Sequence, residues 1–171
     1  MLHIYHGSGK GKTTAAVGLT IRANGAGMKT AFFQFLKNGS SSEISILEKL
    51  ENNTVMCCKE CTKFTFQMNG SERENIRKIQ NDMLKKASEL ISGGSVSLIV
   101  LDEFLDAYNK ELIDKVIADD FIKNWSDKAE IIITGREPPA GMLEIADYVT
   151  EMKAEKHPYE KGITARKGIE Y

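Results

Sequence analysis

The sequence predicts an α/β fold, a single domain over residues 1–171 with a mostly parallel sheet and helices on both faces. Three observations carry this reading. Apolar runs of strand length alternate with longer amphipathic stretches along the whole chain. A glycine-rich turn, Gly7-Ser8-Gly9-Lys10-Gly11-Lys12-Thr13-Thr14, follows the first apolar run directly. The run Val96-Ser97-Leu98-Ile99-Val100-Leu101 lacks alternation, reads as a strand buried on both faces, and ends on Asp102-Glu103.

Taken in order, Leu2–Tyr5 is the first strand, and the glycine-rich turn leads to a helix over about Thr13–Asn24 that Gly25 and Gly27 end. Thr30–Phe35 is the second strand. Lys37-Asn38-Gly39-Ser40-Ser41-Ser42 has breaker composition, Ile44–Leu50 is a short helix, and Thr54–Met56 a brief strand. Residues 57–70 show no period. Ser71 and Glu74 have capping-box spacing and open a long amphipathic helix through Ile76, Ile79, Met83, Leu84, Ala87 and Leu90 to Gly93-Gly94. The buried strand follows, then helical segments to Trp125 and a strand Ala129–Thr134. Pro138-Pro139 precede a short helix, and Tyr148–Met152 is the last strand. No internal repeat or linker interrupts the series.

The turn between the first strand and helix is built to wrap amides around a phosphate chain. Gly7, Gly9 and Gly11 free the backbone for positive φ and for approach to an anion. The helix that follows directs its positive dipole end at the same place. Lys12 and Lys10 add point charges, and Thr13 or Thr14 offers a hydroxyl to Mg²⁺. The spacing departs from the usual pattern, since His6 stands where the first glycine is expected. Asp102 and Glu103, at the carboxyl end of a buried strand, fall beside such a loop in an open α/β sheet and can hold Mg²⁺. The expectation is a P-loop NTPase-like, RecA-like domain that binds a nucleoside triphosphate.

Composition narrows the class further. The net charge of −1 gives no basic field for nucleic acid, and no apolar run has the length of a membrane span. The N-terminus runs straight into the first strand with no signal peptide, which predicts a cytoplasmic protein. Cys58 and Cys61 have zinc-ligand spacing without a second pair, so reduced thiols are expected with Cys57, and zinc is not.

The chain resembles the P-loop-type ATP:corrinoid adenosyltransferases. The resemblance lies in the residues from Gly7 to Ala16, in Gly18, in Arg22-Ala23 with Gly25, and in Gln34-Phe35-Leu36-Lys37. It continues in Leu101-Asp102-Glu103, Thr134-Gly135-Arg136 with Pro138-Pro139, and Ala146 through Met152. The tail from Lys156-His157-Pro158-Tyr159 to Gly168-Ile169-Glu170-Tyr171 is similar to the family's ending. The resemblance implies an enzyme in which Co(I) of a reduced corrinoid attacks C5′ of ATP, makes a Co–C bond and expels triphosphate, in cobalamin biosynthesis or salvage.

It also implies the site. Gly7, Ser8, Gly9, Lys10, Gly11, Lys12, Thr13, Thr14 and Arg22 would bind ATP; Thr13, Asp102 and Glu103 would hold Mg²⁺; Lys12, Thr13 and Glu103 would serve the reaction. Phe64 and Phe66 would crowd the lower axial face of the corrinoid, which makes Co(II) easier to reduce. Phe66 stands where the family usually has Trp, and Ser8 where Asn is common. Read from the residues alone, Phe64 and Phe66 also admit a strand-core reading at period 2, as the lesser alternative. The resemblance further implies a homodimer and an electron-donating reductase. Some relatives carry an N-terminal extension over the corrinoid, and its expected absence leaves the shielding to a partner subunit. His157 reads as structural. Two other readings compete. A small kinase resembling type II thymidine kinases would usually carry two cysteine pairs, whereas this chain has one. A RecA-like ATPase module would need an arginine finger, for which Arg136 is the nominee.

Overall fold

The computed structural model describes residues 1–171. Its strands are β1 (Leu2–His6), β2 (Thr30–Gln34), β3 (Asn53–Cys57), β4 (Leu98–Asp102), β5 (Glu130–Thr134) and β6 (Tyr148–Glu151). They form one sheet in the order β3-β2-β4-β5-β1-β6, with every neighbouring pair parallel. The helices are α1 (Lys12–Gly25), α2 (Ile44–Leu47), α3 (Gly70–Ser92), α4 (Phe104–Asn109), α5 (Lys115–Trp125) and α6 (Ala140–Ile145).

Alternate residues of the central strands feed two cores. Phe33, Ile99, Leu101, Ile131 and Ile133 join α3, α4 and α5 in a cluster of 27 buried residues. Phe32, Val100 and Ile132 join Ala16 and Ala23 of α1 and Ile44 and Leu47 of α2 in a cluster of 8. Helices therefore cover both faces, which explains why β4 and β5 read as unbroken apolar runs. On α3 the buried positions Ile76, Gln80, Met83, Leu84, Ala87 and Ile91 recur at helical spacing. Gln80 is satisfied at both ends, donating to Leu112 O at 3.1 Å and accepting from the amide of Leu36 at 3.3 Å.

The strand order positions the site. β5 lies between β1 and β4, so the loop after β1 and the acids at the end of β4 are two strand spacings apart, about 10 Å. A side chain from each can meet across β5.

Two expectations are corrected. The capping box of α3 is Asn69 with Glu72, not Ser71 with Glu74. The Asn69 carboxamide accepts from the Glu72 amide at 2.9 Å, and the Glu72 carboxylate accepts from the Asn69 amide at 2.9 Å. Asn69 has the extended backbone that a cap requires, Gly70 is already helical, and the Ser71 hydroxyl donates to Asn69 instead. In the irregular segment after β3, Cys58 and Cys61 are joined as a disulfide rather than held as thiols, leaving Cys57 free. A turn closed by the Cys61 amide on Cys58 O, at 2.9 Å, directs both side chains into the core. No group of three or more His, Cys, Asp or Glu is placed to hold a metal ion. No helix is long and apolar enough to cross a membrane.

Candidate functional site

The loop joins β1 to α1. Gly7 (φ 110°) and Gly11 (φ 115°) occupy left-handed backbone closed to most side chains. Gly9 is required for a different reason, which corrects the expectation of positive φ at all three. A Cβ there would lie 2.5 Å from the carbonyl oxygen of Met152, just past β6. The Gly9 amide donates to that same oxygen at 2.6 Å, and the Gly7 amide to Arg136 O at 3.0 Å, so the loop is pinned from both sides. No side chain caps α1, which leaves its first amides for an anion.

Lys12 folds back over the loop, its Nζ donating to Gly7 O and Gly9 O, both at 2.8 Å. Burial pulls its pKa below the ordinary lysine value, and nearby Arg136 acts in the same direction, with Glu103 the largest opposing influence. Ser8, Lys10 and Thr14 are exposed beside it.

Asp102, the last residue of β4, is fully buried. Its Oδ1 accepts from the Thr13 and Thr134 hydroxyls, each at 2.8 Å. Its Oδ2 accepts from Gln34 Nε2 at 3.2 Å and from Lys37 Nζ at 3.3 Å. Glu103 follows in left-handed backbone (φ 62°), its amide donating to the Thr134 hydroxyl at 2.9 Å. Glu103 Oε1 lies 3.2 Å from Lys37 Nζ. Burial raises the Glu103 pKa, with Lys37 the main influence the other way. Burial also works against the Lys37 ammonium, but Asp102 and Glu103 outweigh it and hold its pKa above the ordinary value.

Thr13, Asp102 and Glu103 present only hard oxygen donors. That set suits Mg²⁺, which takes one or two protein carboxylates and completes its shell with phosphate and water. The residues present therefore fit the ion.

A cleft of about 390 Å³ opens beside the loop, lined by Lys10, Thr13, Thr14, Val17, Lys37, Ser42, Glu43 and the tail residues Gly168 to Tyr171. The Ser42 hydroxyl donates to Tyr171 O at 3.1 Å, which holds the tail across the opening. The structure thus brings together the loop, Thr13, Asp102 and Glu103. It does not bring in Arg22, which is exposed on α1, outside the cleft lining and about 15 Å along the helix from Lys12. Phe64 and Phe66 also lie outside the cleft lining. They are 70% and 81% exposed, with rings stacked at 5.6 Å, so they are not strand core. His157 caps a 3-10 turn at Pro158–Lys161, accepting from the Tyr159 amide at 3.2 Å, as a structural residue would.

Sequence reasoning assigned no role to Lys37, Gln34, Thr134 or the tail's place in the cleft. A signal existed for the first three: each stands at or just past the carboxyl end of a strand, where sites of open parallel sheets gather.

A parallel sheet with one strand between loop strand and acid strand, bridged by a Thr–Asp contact, defines a P-loop nucleotide-binding protein of RecA-like type. The family model described as "ATP:corrinoid adenosyltransferase BtuR/CobO/CobP" matches residues 1–171. The chain belongs to that family, a family of transferases, and neither the kinase nor the ATPase-module reading is favoured. It is 34% identical to a corrinoid adenosyltransferase of Pseudomonas aeruginosa over 173 residues, covering 100% of this chain and 83% of the relative. Identity to one from Sinorhizobium sp is 32% over 167 residues, covering 96% and 77%. Identity to one from Escherichia coli K12 is 31% over 171 residues, covering 98% and 84%. A solved structure titled "Structure of the Aeropyrum Pernix ORC2 protein (ADP form)" aligns over 91% of this chain and 43% of its own at TM-score 0.41 and 14% identity, too remote to carry an argument.

Proposed function

We propose that this protein transfers the 5′-deoxyadenosyl group of ATP to Co(I) of a corrinoid, forming a Co–C bond and releasing triphosphate. The observation that carries the reading is the match of the whole chain, residues 1–171, to the adenosyltransferase family. The local geometry supports it.

Cleaving C5′–O leaves its electron pair, and so negative charge, on the departing triphosphate. The groups gathered at the loop suit that load. The first amides of α1 face the polyanion, Lys10 lies exposed at the loop's edge, and Lys12 turns from Gly7 O and Gly9 O toward phosphate oxygens. Gly7, Ser8, Gly9, Gly11, Thr13 and Thr14 complete the cradle; Arg22, exposed far along α1, is left out of it. Thr13, Asp102 and Glu103 would hold Mg²⁺, which would neutralise part of the triphosphate charge. Co(I) carries no proton to remove, so no general base is required. The protein's task is to align cobalt with C5′ and keep oxidants out.

Phe64 and Phe66 receive the lower face of the corrinoid. Two large stacked rings exposed on a short 3-10 segment are available for such a contact. The homodimer and the electron-donating reductase belong to the same proposal and rest on the resemblance alone; the cytoplasmic setting belongs to it as well.

The test mixes the protein with ATP, Mg²⁺ and chemically reduced cobalamin and follows the visible spectrum. A light-sensitive alkylcobalamin, formed with one triphosphate per turnover, is the expected product. ADP or phosphate released without corrinoid contradicts the proposal.

A further inference from the structure

We propose that Lys37 is a stand-in for the metal ion: its ammonium occupies the cation position between Asp102 and Glu103 in the nucleotide-free protein, and is exchanged into the phosphate cleft when Mg²⁺ enters. This rests on the reading of Asp102 and Glu103 as metal-holding residues.

Lys37 Nζ lies 3.3 Å from Asp102 Oδ2 and 3.2 Å from Glu103 Oε1, so one ammonium bridges both carboxylates. The arrangement is built on both sides. Leu36, just before the lysine, has left-handed backbone (φ 56°), and Glu103 has the same (φ 62°). Such backbone is costly for residues with a side chain and persists where neighbours enforce it. The Leu36 amide is held by the buried Gln80 of α3, and the Glu103 amide by Thr134. Both halves of the ion pair are therefore aimed at one another.

The exchange follows from the acceptors available. Thr13, Thr134, Gln34 and Lys37 together fill both oxygens of Asp102. A cation meeting this carboxylate must replace a donor. Thr134 and Gln34 are buried and cannot leave. Thr13 and Lys37 are partly exposed, and both line the cleft. Thr13 can turn its hydroxyl oxygen to the metal and stay. A single positive charge cannot stay against a dication at contact distance, so Lys37 is the group that departs. Its four-carbon stem swings the ammonium into the cleft beside Lys10, where a triphosphate supplies new acceptors. The swap keeps the acid pair neutralised before the metal arrives and adds a cation beside the leaving group afterwards.

The test measures binding of Mn²⁺, a spin-active probe for Mg²⁺, to the full chain without nucleotide. With the competing ammonium removed, Lys37→Met binds Mn²⁺ at least tenfold more tightly than the natural protein, whereas Lys37→Arg, which keeps a cation, stays weak. Equal affinity in all three overturns the proposal. A second measurement needs no variant: acetylation of Lys37 by an amine-reactive reagent, read by mass spectrometry against exposed Lys85 and Lys86, rises severalfold on adding saturating Mg²⁺ alone. Unchanged reactivity overturns the exchange. The underlying metal reading fails separately, and this proposal with it, if ATP-dependent Mn²⁺ binding survives in both Asp102→Asn and Glu103→Gln. If those variants lose it while Lys37→Met matches the natural protein, the exchange alone is wrong.

Discussion

The Thr13 hydroxyl donates a 2.8 Å hydrogen bond to Asp102 Oδ1, fastening the start of α1 to the end of β4 across the intervening β5. Because Asp102 is fully buried and takes donors on both oxygens, its carboxylate organises the whole floor of the site. Asp102→Asn sets a donor amide against Gln34 Nε2 and the Lys37 ammonium. The expected cost is about 1–3 kcal/mol of stability by urea denaturation, and about a hundredfold or more in turnover. Unchanged stability would deny Asp102 this organising role.

Lys12→Ala separates binding from folding. Its ammonium touches only Gly7 O and Gly9 O, so the melting temperature shifts by no more than a few degrees, whereas adenosyl transfer falls by a hundredfold or more. Activity like that of the natural protein in a steady-state assay would remove the phosphate-site assignment.

Two glycine substitutions with opposite signs test the loop geometry. Gly9→Ala places a methyl 2.5 Å from the Met152 carbonyl oxygen and destabilises by about 1–3 kcal/mol or more. Gly18→Ala, on α1 with no atom within 4 Å of the new methyl, stabilises by about 0.5–1 kcal/mol. Thermal unfolding of both variants checks the pair; a neutral Gly9→Ala would show that the β6 contact is slack.

Phe64→Ala leaves stability within about 0.5 kcal/mol, because the ring is 70% exposed. It slows turnover severalfold with Co(II) corrinoid and reductant while sparing reaction with pre-reduced Co(I). Parallel losses in the two assays would argue against the axial-face role.

Cysteine labelling of the denatured, unreduced protein modifies one thiol, and labelling after full reduction modifies three. Burial, with Glu48 and Glu43, pushes the Cys57 thiol from 9.0 up to about 11, so its rate with iodoacetamide still climbs between those pH values. The folded state binds this proton more tightly than the unfolded chain. Its contribution is therefore fully present below about pH 9 and lost as pH rises toward about 11. A labelling rate that levels off below pH 9 would contradict the buried thiol.

Much of this architecture is legible in the chain because local and tertiary signals agree. β4 and β5 announce their burial by unbroken apolar runs, since α1 and α3–α5 cover opposite faces. The phosphate loop is visible because its chemistry is contiguous in sequence. The α3 cap is not legible in the chain because Asn69/Glu72 and Ser71/Glu74 overlap at the same spacing, and only the backbone of Asn69 chooses between them. The Cys58–Cys61 bond depends on a turn inside an aperiodic segment. Lys37, Gln34 and Thr134 converge on Asp102 only through the strand order β2-β4-β5, which no local pattern encodes. The tail's place across the cleft rests on a contact between Ser42 and Tyr171, more than 120 residues apart in sequence, which no local pattern encodes.

The most direct measurement is a crystal structure with Mg²⁺, an unreactive ATP analogue and a Co(II) corrinoid bound. The expected result is a triphosphate held by Gly7–Thr14, with the ribose C5′ turned toward the cobalt above Phe64 and Phe66. A γ-phosphorus facing that pocket, with C5′ turned away, would contradict it.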